Sequence, residues 1–487
     1  VRDLVEASVV TWVGAVALMV AAVVRGKVFA VVLGPGGVGA MAQLVMFGNF
    51  VGVVGSMSLG VGIAQRIAAC TGAGGAIERR RIVQTSLVAT TLLGAALAIL
   101  VWLAAAPVAA FLLPDGGRSY AGDLRLFATG VVFLALAPNL QFVFAGFGAA
   151  RWSSLTDVAT ALASVIGALL LVPLFGFVGA VALLVLTQVA RVAVQIGTVR
   201  WRFPDCLRSF PDSADRVAFS ATFPALVGIG VASMAMTGSD TLVQLLVRSL
   251  IVKLYGVAAN GFYQAAAGAS NQVLVMSMGF LTSYAFARVN AGATSQVRSE
   301  RTNEAFHLSA LVLIGGGSAV ILLRELYVRV LLSSQFLPGT AYFAPQAAGE
   351  VLKQLGQAVS LGMLLTAGVK NWLFLGGVWV FSNAVFAALL LPLGPAMLPW
   401  PYAVSGLVYF ATAWWMMARK DRLVISAHNL WLLVSGVALL ALFAFAPASL
   451  PVRASCFVVL AGWVWFALGR YRRPAFEKVR GWLGEGP

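Results

Sequence analysis

Long apolar blocks separated by short turn or charged segments run along the chain from Val9 to Arg470, with Leu87 to Ala106 and Leu155 to Leu174 as typical examples. A block of about twenty such residues is the length a helix needs to cross ~30 Å of hydrocarbon, so each one predicts a membrane span. Turn and charge signals between the blocks place spans near 9–33, 39–64, 82–106, 124–148, 154–173, 177–199, 222–254, 261–287, 303–331, 341–367, 371–392, 399–418, 429–446 and 452–470. The expected fold class is an all-α polytopic membrane protein of about fourteen transmembrane helices, twelve or thirteen being the alternative count. The first block contains Arg25 and Lys27 and lacks the short apolar core and small-residue cleavage site of a removable signal, so it reads as a retained helix.

Composition agrees with the pattern. Of the 487 residues, 60% are hydrophobic and 10% charged, against about 25% charged in soluble proteins, and the mean hydropathy is +0.93. The net charge of +16 could signal nucleic acid, but Lys and Arg fall between apolar blocks and form no basic domain with stacking aromatics, so no nucleic-acid partner is expected. Loops before Arg2, at Arg66–Arg81, Arg151, Arg200–Arg216, Arg288–Arg301, Lys370, Arg419–Arg422 and after Arg470 fall on one side and carry about 22 of the 33 basic residues. The opposite loops are nearly uncharged. By the positive-inside rule both termini are cytoplasmic, and the expected location is the bacterial inner membrane, as a multi-pass protein. Cys70, Cys206 and Cys456 are far apart and outside any C-x-x-C pattern, which predicts neither disulfides nor a zinc site.

A shift of 222 positions (256 − 34) places Gly34 on Gly256, Gly39 on Gly261, Arg66 on Arg288 and Glu78-Arg79 on Glu300-Arg301. Spans 1–2 therefore echo spans 7–8. An even number of spans separates the copies, so the halves share one orientation and should be related by an axis along the membrane normal. Chance recurrence of small residues and loop arginines is the alternative. The predicted organisation is a six-helix bundle over 1–200, a polar cytoplasmic linker at 201–216 with Pro204, Asp205, Pro211 and Asp212, a second six-helix bundle over 217–420, and two extra helices with a basic tail over 421–487.

The basic residues singled out inside predicted spans are Arg25, Lys27, Arg191, Arg248, Lys253 and Lys353, with the acids Asp157, Asp240 and Glu350. A cation near a helix centre costs about 2.5–3.5 kcal/mol even on the lenient insertion scale, so several facing lipid would be hard to sustain. Arg25 and Lys27 in span 1 and Arg248 and Lys253 in span 7 occupy similar places in the two repeats and predict an anion-binding cavity, to which Arg25, Lys27 and Arg248 are assigned. Lys253 and Arg191 are close enough to helix ends to snorkel. Glu350 and Lys353, at i and i+3, either neutralise each other or contact substrate or a proton. Asp240 is either a coupling site for a proton or cation or a balance for Arg248. Asp157 with Arg151, and Glu304 with Arg301, read as solvated topology signals near cytoplasmic helix ends.

His307 and His428 are the only histidines and are far apart in sequence, so neither is given a role and no metal site is expected. No Walker-type G-x-x-x-x-G-K-[ST], G-x-S-x-G or H-E-x-x-H motif occurs, which leaves ATP hydrolysis and the common hydrolase mechanisms without support. The chain is not expected to be an enzyme, and no cofactor is implied. Pro138, Pro224 and Pro345 are expected to kink spans 4, 7 and 10.

The run Lys27-Val-Phe-Ala-Val-Val-Leu-Gly-Pro-Gly-Gly-Val-Gly39 and the basic loop after span 2 resemble the opening of Wzx-type polysaccharide flippases of the multidrug/oligosaccharidyl-lipid/polysaccharide exporter superfamily. Leu322-Leu323-Arg324-Glu325-Leu326, Leu331-Leu332-Ser333-Ser334-Gln335-Phe336 and Gly349-Glu350-Val351-Leu352-Lys353 resemble the ninth and tenth helices of O-antigen and lipid III flippases. The resemblance implies two six-helix bundles around a cationic cavity that moves undecaprenyl-diphosphate-linked oligosaccharide from the cytoplasmic to the periplasmic leaflet. Lys27, Arg248 and Lys353 match basic positions of that pattern and Glu350 an acidic one, whereas Arg25 has no counterpart. The span 4–5 loop, with Gly146-Phe147-Gly148 and a later Arg151, departs from the pattern, and spans 13–14 are extra. The implied partners are the lipid-linked glycan, the bilayer and a glycan polymerase or ligase complex. Rival readings are a lipid II flippase and a multidrug/cation antiporter; a membrane glycan polymerase or ligase would need larger outer loops.

Overall fold

The computed structural model describes residues 2–70, 75–114, 120–207, 214–280, 285, 289, 294–363, 368–420, 422–447 and 449–470, and among these no strand occurs. The linker centre at 208–213 and the basic tail after Arg470 lie outside the described residues. By packing, the chain forms two compact units, Val1–Gln264 with Val330–Phe336, and Ala265–Arg329 with Leu337–Pro487.

Unit 1 is built from α1 (Arg2–Val32), α2 (Gly34–Ser56), α3 (Gly60–Ala69), α4 (Gly75–Leu103), α5 (Ala105–Leu112), α6 (Ala121–Ala128), α7 (Val131–Gly146), α8 (Ala150–Arg202) and the part of α9 (Ala214–Phe280) up to Gln264. Both α8 and α9 are broken once, at Gly176 (φ 56°) and Gly256 (φ 81°), where the backbone takes a left-handed conformation that glycine adopts without strain. Each break folds the helix into two antiparallel arms: Gly167 meets Leu183 and Gly179 meets Leu171 in α8, and Arg248 meets Asn260 in α9. The arms correspond to the predicted spans 5 and 6, and 7 and 8. Two cores fill the unit, one around Leu44, Leu112, Leu124 and Val181 and one around Leu59, Ile63, Leu140 and Phe144.

Unit 2 holds the rest of α9 from Ala265, α10 (Ser295–Leu322), α11 (Arg324–Leu331) up to Arg329, α12 (Phe343–Val359), α13 (Gly368–Leu390), α14 (Trp400–Lys420), α15 (Ala427–Ala444) and α16 (Leu450–Ala467). Its core runs from Phe306, Leu313 and Ile314 through Leu355 and Phe410 to Leu432 and Phe443. At one end the Arg324 guanidinium donates to the carbonyls of Ile321, Phe443 and Ala446, and Arg453 pairs with Glu325 at 2.8 Å. Carbonyls at the ends of α10 and α15, and at Ala446 just beyond, thereby face a cation, which the C-terminal ends of helix dipoles favour.

Leu174, Phe381 and Val458 are each more than 70% exposed. So much outward apolar surface is expected only where acyl chains cover it. Among the described residues seven helices are long and apolar enough to span a membrane, or eight with the bent pair α6–α7, and α8 and α9 each count once although each folds back on itself. The fold is that of an all-α polytopic membrane protein.

Three predicted spans differ in detail. Span 2 is divided at Met57 and Ser58, two non-glycine residues at φ 51° and 46°. Span 4 bends by 41° between α6 and α7 at Thr129–Gly130, not at Pro138, which α7 runs through; at Gly130 the absent side chain leaves room for Val185. Pro345 lies in the first turn of α12, where no intrahelical donor is lost, so it starts a helix instead of kinking a span.

Candidate functional site

The division of span 2 borders a cavity in unit 1. A helix that stops inside a membrane leaves carbonyls without donors, and these must be satisfied internally. Here Ser56 O accepts from Leu59 N at 3.2 Å and from Asn139 Nδ2 of α7 at 3.0 Å, and Asn139 Nδ2 also reaches Thr90 Oγ1 at 2.8 Å. Beside this junction lies a cavity of about 550 Å³ lined by Asn49, Ser56, Ser58, Asn139, Phe142, Gln188 and Arg191, with Ser233, Thr237 and Thr241 contributed by α9. No carboxylate is among the lining residues.

One wall is a polar network. Arg191 Nη2 lies 3.1 Å from Asp157 Oδ1 and 3.5 Å from Gln141 Oε1, Gln141 Nε2 reaches Ser153 Oγ at 2.5 Å and Asp157 Oδ2 at 3.3 Å, and Gln195 Nε2 donates to Gln141 Oε1 at 3.0 Å. This corrects the sequence reading, which gave Arg191 to snorkelling and Asp157 to a helix-end role with Arg151. Two charges in a low-dielectric setting gain more from each other than from distant water. The signal was present in the sequence: Gln188, Arg191 and Gln195 recur at i, i+3 and i+7 and form a polar stripe on an otherwise apolar helix.

The glycines matched by the internal repeat meet in unit 1. A Cβ on Gly39 would lie 1.9 Å from Val257 O, and one on Gly261 would lie 2.0 Å from Pro35 O. Since Val257 is Pro35 shifted by 222, the contact is reciprocal (257 − 35). Gly34 (φ 64°) and Gly256 (φ 81°) share the left-handed backbone that precedes it. Arg248 belongs to this crossing. It is 4% exposed, its Nη1 donates to Asn260 Oδ1 at 3.2 Å, and its guanidinium lies over the Tyr263 ring at 5.1 Å. Asn260 in turn donates to Gly39 O at 2.8 Å, and Gln43 donates to Ser249 Oγ at 2.6 Å. Among the described residues no carboxylate pairs with Arg248.

The other predicted residues have separate settings. Arg25 is half-buried in α1 and makes no hydrogen bond or ion pair among the described residues. Lys27 Nζ donates to Leu332 O at 2.5 Å, next to a 3.5 Å bond from Ser333 Oγ to Ala30 O. Lys353, in unit 2, has its ammonium 4.1 Å from the Trp379 ring centroid and 3.5 Å from Tyr402 Oη, and no ion pair joins it to Glu350. Glu350 is buried and Asp240 half-buried. Neither these five nor Arg248 line the cavity, although Thr237 and Thr241, on either side of Asp240, do.

His307 and His428 are stacked at 5.1 Å despite their separation in sequence, and His307 Nδ1 lies 3.2 Å from Asn429 Oδ1. Among the described residues no group of three or more metal-ligating side chains occurs.

No family model matches the chain, and no curated protein matches it. Among solved structures it is similar to the lipid II flippase MurJ in an inward closed conformation, with TM-score 0.71 and 13% identity over 97% of this chain and 100% of that one. It is also similar to an inward-facing multidrug resistance MATE transporter of the MOP superfamily, with TM-score 0.67 and 16% identity over 85% and 98% of the two chains. A MOP superfamily transporter from Pyrococcus furiosus gives TM-score 0.61 and 14% identity over 88% and 96%. The chain thus shares the fold of these multi-helix transporters.

Proposed function

We propose that this protein is a flippase that carries undecaprenyl-diphosphate-linked oligosaccharide, an O-antigen, exopolysaccharide or similar repeat unit, from the cytoplasmic to the periplasmic leaflet by alternating access. The observation that supports this reading most is that Arg25 and Arg248 are intramembrane guanidiniums without a carboxylate partner among the described residues, in a fold shared with a flippase. Unpaired cations at this depth are expensive unless an anion visits them. A diphosphate head needs such charges to cross, whereas its long polyprenyl tail stays in lipid.

In this reading the repeat halves 1–200 and 217–420 are the moving bodies, with both termini cytoplasmic in a bacterial inner membrane. Arg25 meets the diphosphate first. Lys27 and Arg248 join when their bonds to Leu332 and Asn260 are exchanged, and Lys353 is a further basic group proposed for the diphosphate. Asp240 and Glu350 balance charge or couple the cycle to a proton or cation. An inside-negative potential favours outward movement of the anion by ~2.3 kcal/mol per charge per 100 mV.

Lipid II as the cargo is the second reading, favoured by a fold likeness that reaches over 97% of the chain against 85% for the MATE transporter. A cation antiporter is expected to line its cavity with acids, and no carboxylate is among the residues lining the cavity of unit 1. The deciding experiment is leaflet-resolved labelling of lipid-linked oligosaccharide and of lipid II in cells depleted of the protein. Build-up of the oligosaccharide in the inner leaflet supports the first reading, build-up of lipid II the second, and build-up of neither overturns both.

A further inference from the structure

The cavity of unit 1 has a chemistry of its own. Its polar wall is made of carboxamides and hydroxyls, each of which both donates and accepts, and its one cation, Arg191, is offset by Asp157 at 3.1 Å. Asn49 and Gln188 make no hydrogen bond among the described residues. Within a membrane protein such groups call for water or a ligand. Asn139 uses its Nδ2 on Ser56 O and Thr90 Oγ1, so its Oδ1 is left as an acceptor. Phe142, 39% exposed, adds one aromatic wall.

This inventory selects among ligand classes. A diphosphate would find one guanidinium already engaged by a carboxylate. A lipophilic cation would find no acid among the lining residues. A neutral sugar presents hydroxyl groups that donate and accept in turn, which match carboxamides and threonine hydroxyls, and a C–H face that packs on an aromatic ring. The volume of about 550 Å³ falls within the ~300–1,000 Å³ of small-molecule pockets.

We infer that this cavity is a subsite for a neutral sugar unit, separate from the groups proposed to hold the diphosphate. As a step in glycan translocation the inference rests on the flippase reading; as a binding site it does not. Asn49, Gln188 and Thr241 bind sugar hydroxyls, Asn139 Oδ1 accepts from one, and Phe142 packs against the ring. Arg191 bound to Asp157 is a neutral unit that disfavours uronic acids.

The test uses the full-length protein in detergent micelles and saturation-transfer NMR with methyl glycosides of glucose, galactose, mannose, rhamnose and N-acetylglucosamine, with methyl glucuronide and pyrophosphate as charged probes. At least one neutral glycoside is expected to bind saturably. N49A/Q188A should weaken it about ten-fold or more, as expected for two lost hydrogen bonds, while the lipid-facing L170A changes nothing. Asn49→Trp, which fills the space without removing a hydrogen bond made among the described residues, should abolish binding and serves as the second variant. The inference is overturned if no neutral glycoside binds, if binding survives both cavity variants in folded protein, or if only the charged probes bind. Glycoside binding that depends on Asn49 and Gln188 without lipid-linked glycan transport would leave the subsite standing and remove the flippase reading. Transport without glycoside binding would do the reverse.

Discussion

Gly39 and Gly261, which the internal repeat places at equivalent positions, stand against each other's strand of backbone so closely that a methyl group on either would meet a carbonyl oxygen at 1.9 or 2.0 Å. Packing of this kind is the membrane counterpart of core interdigitation, since small residues are what let helices approach. G39A and G261A are each expected to destabilise the protein by about 2 kcal/mol or more. The double variant should lose less than the sum, because both open the same crossing. Thermal unfolding of the purified protein measures all three.

Removing Asp157 leaves Arg191 as an uncompensated cation. Breaking a buried pair costs ~3–5 kcal/mol, and because this pair borders a cavity the expected loss for D157N is about 2–3 kcal/mol. R191Q/D157N should recover most of it. Equal stability of D157N and wild type in denaturant unfolding would show that the pair carries no structural weight.

Arg25 makes no bond within the protein among the described residues. R25A should therefore change stability by less than about 0.5 kcal/mol yet stop complementation in a flippase-null host at unchanged membrane abundance. Normal glycan export in that strain would remove Arg25 from the site.

Burial pushes the Cys206 thiol above its ordinary range, with Asp205 adding to the rise and Arg79 and Arg80 opposing it, and burial does the same to Cys70, helped by Glu78 and opposed by Arg79 and Arg66. The thiolate is the reactive form, so alkylation at pH 7 should be slower than for a free cysteine of pKa ~8.5 and should climb as pH rises beyond that value. The stability linked to these raised thiols is fully present below the ordinary thiol pKa and is lost as pH rises through the folded one. Iodoacetamide labelling followed by mass spectrometry from pH 7 to about 10 reads the order, and fast labelling of Cys206 at pH 7 would contradict it.

Asn303 fastens the start of α15 to α10. Its Oδ1 accepts from Ser426 N at 2.8 Å and from Asn429 Nδ2 at 3.0 Å, and its Nδ2 donates to Val424 O at 2.8 Å. N303A leaves several of these groups without partners and should lower stability by about 2–3 kcal/mol, read as a drop in Tm. An unchanged Tm would mean that water replaces the side chain.

Hydropathy and charge alternation made the fold class legible, because a span must be apolar and about twenty residues long whatever its neighbours are. The repeat was legible through Gly34, Gly39, Gly256 and Gly261, since a left-handed turn and a close backbone approach both demand glycine. What stayed hidden depended on partners. Arg191 and Asp157 come from two arms of α8 whose antiparallel register no local pattern declares. The division at Met57–Ser58 carries no proline or glycine at those two positions to announce it, and the stacking of His307 on His428 joins residues more than a hundred positions apart. Intramembrane cations could be counted from the sequence, but whether a given one is engaged by a carbonyl, a ring or nothing is a property of packing. Among the described residues Arg25, Lys27, Arg248 and Lys353 show each of these outcomes.

The bond from Lys27 to Leu332 also bears on the order in which the molecule is made. Val330–Phe336 pack with the first unit, and Phe336 sets its ring edge-on against Phe262 at 6.2 Å. Synthesis at about 5–20 residues per second delivers the first helix long before that short segment emerges. During the interval the Leu332 carbonyl is not yet available to Lys27, and the amino-terminal unit is completed only when this much later stretch of the nascent chain arrives.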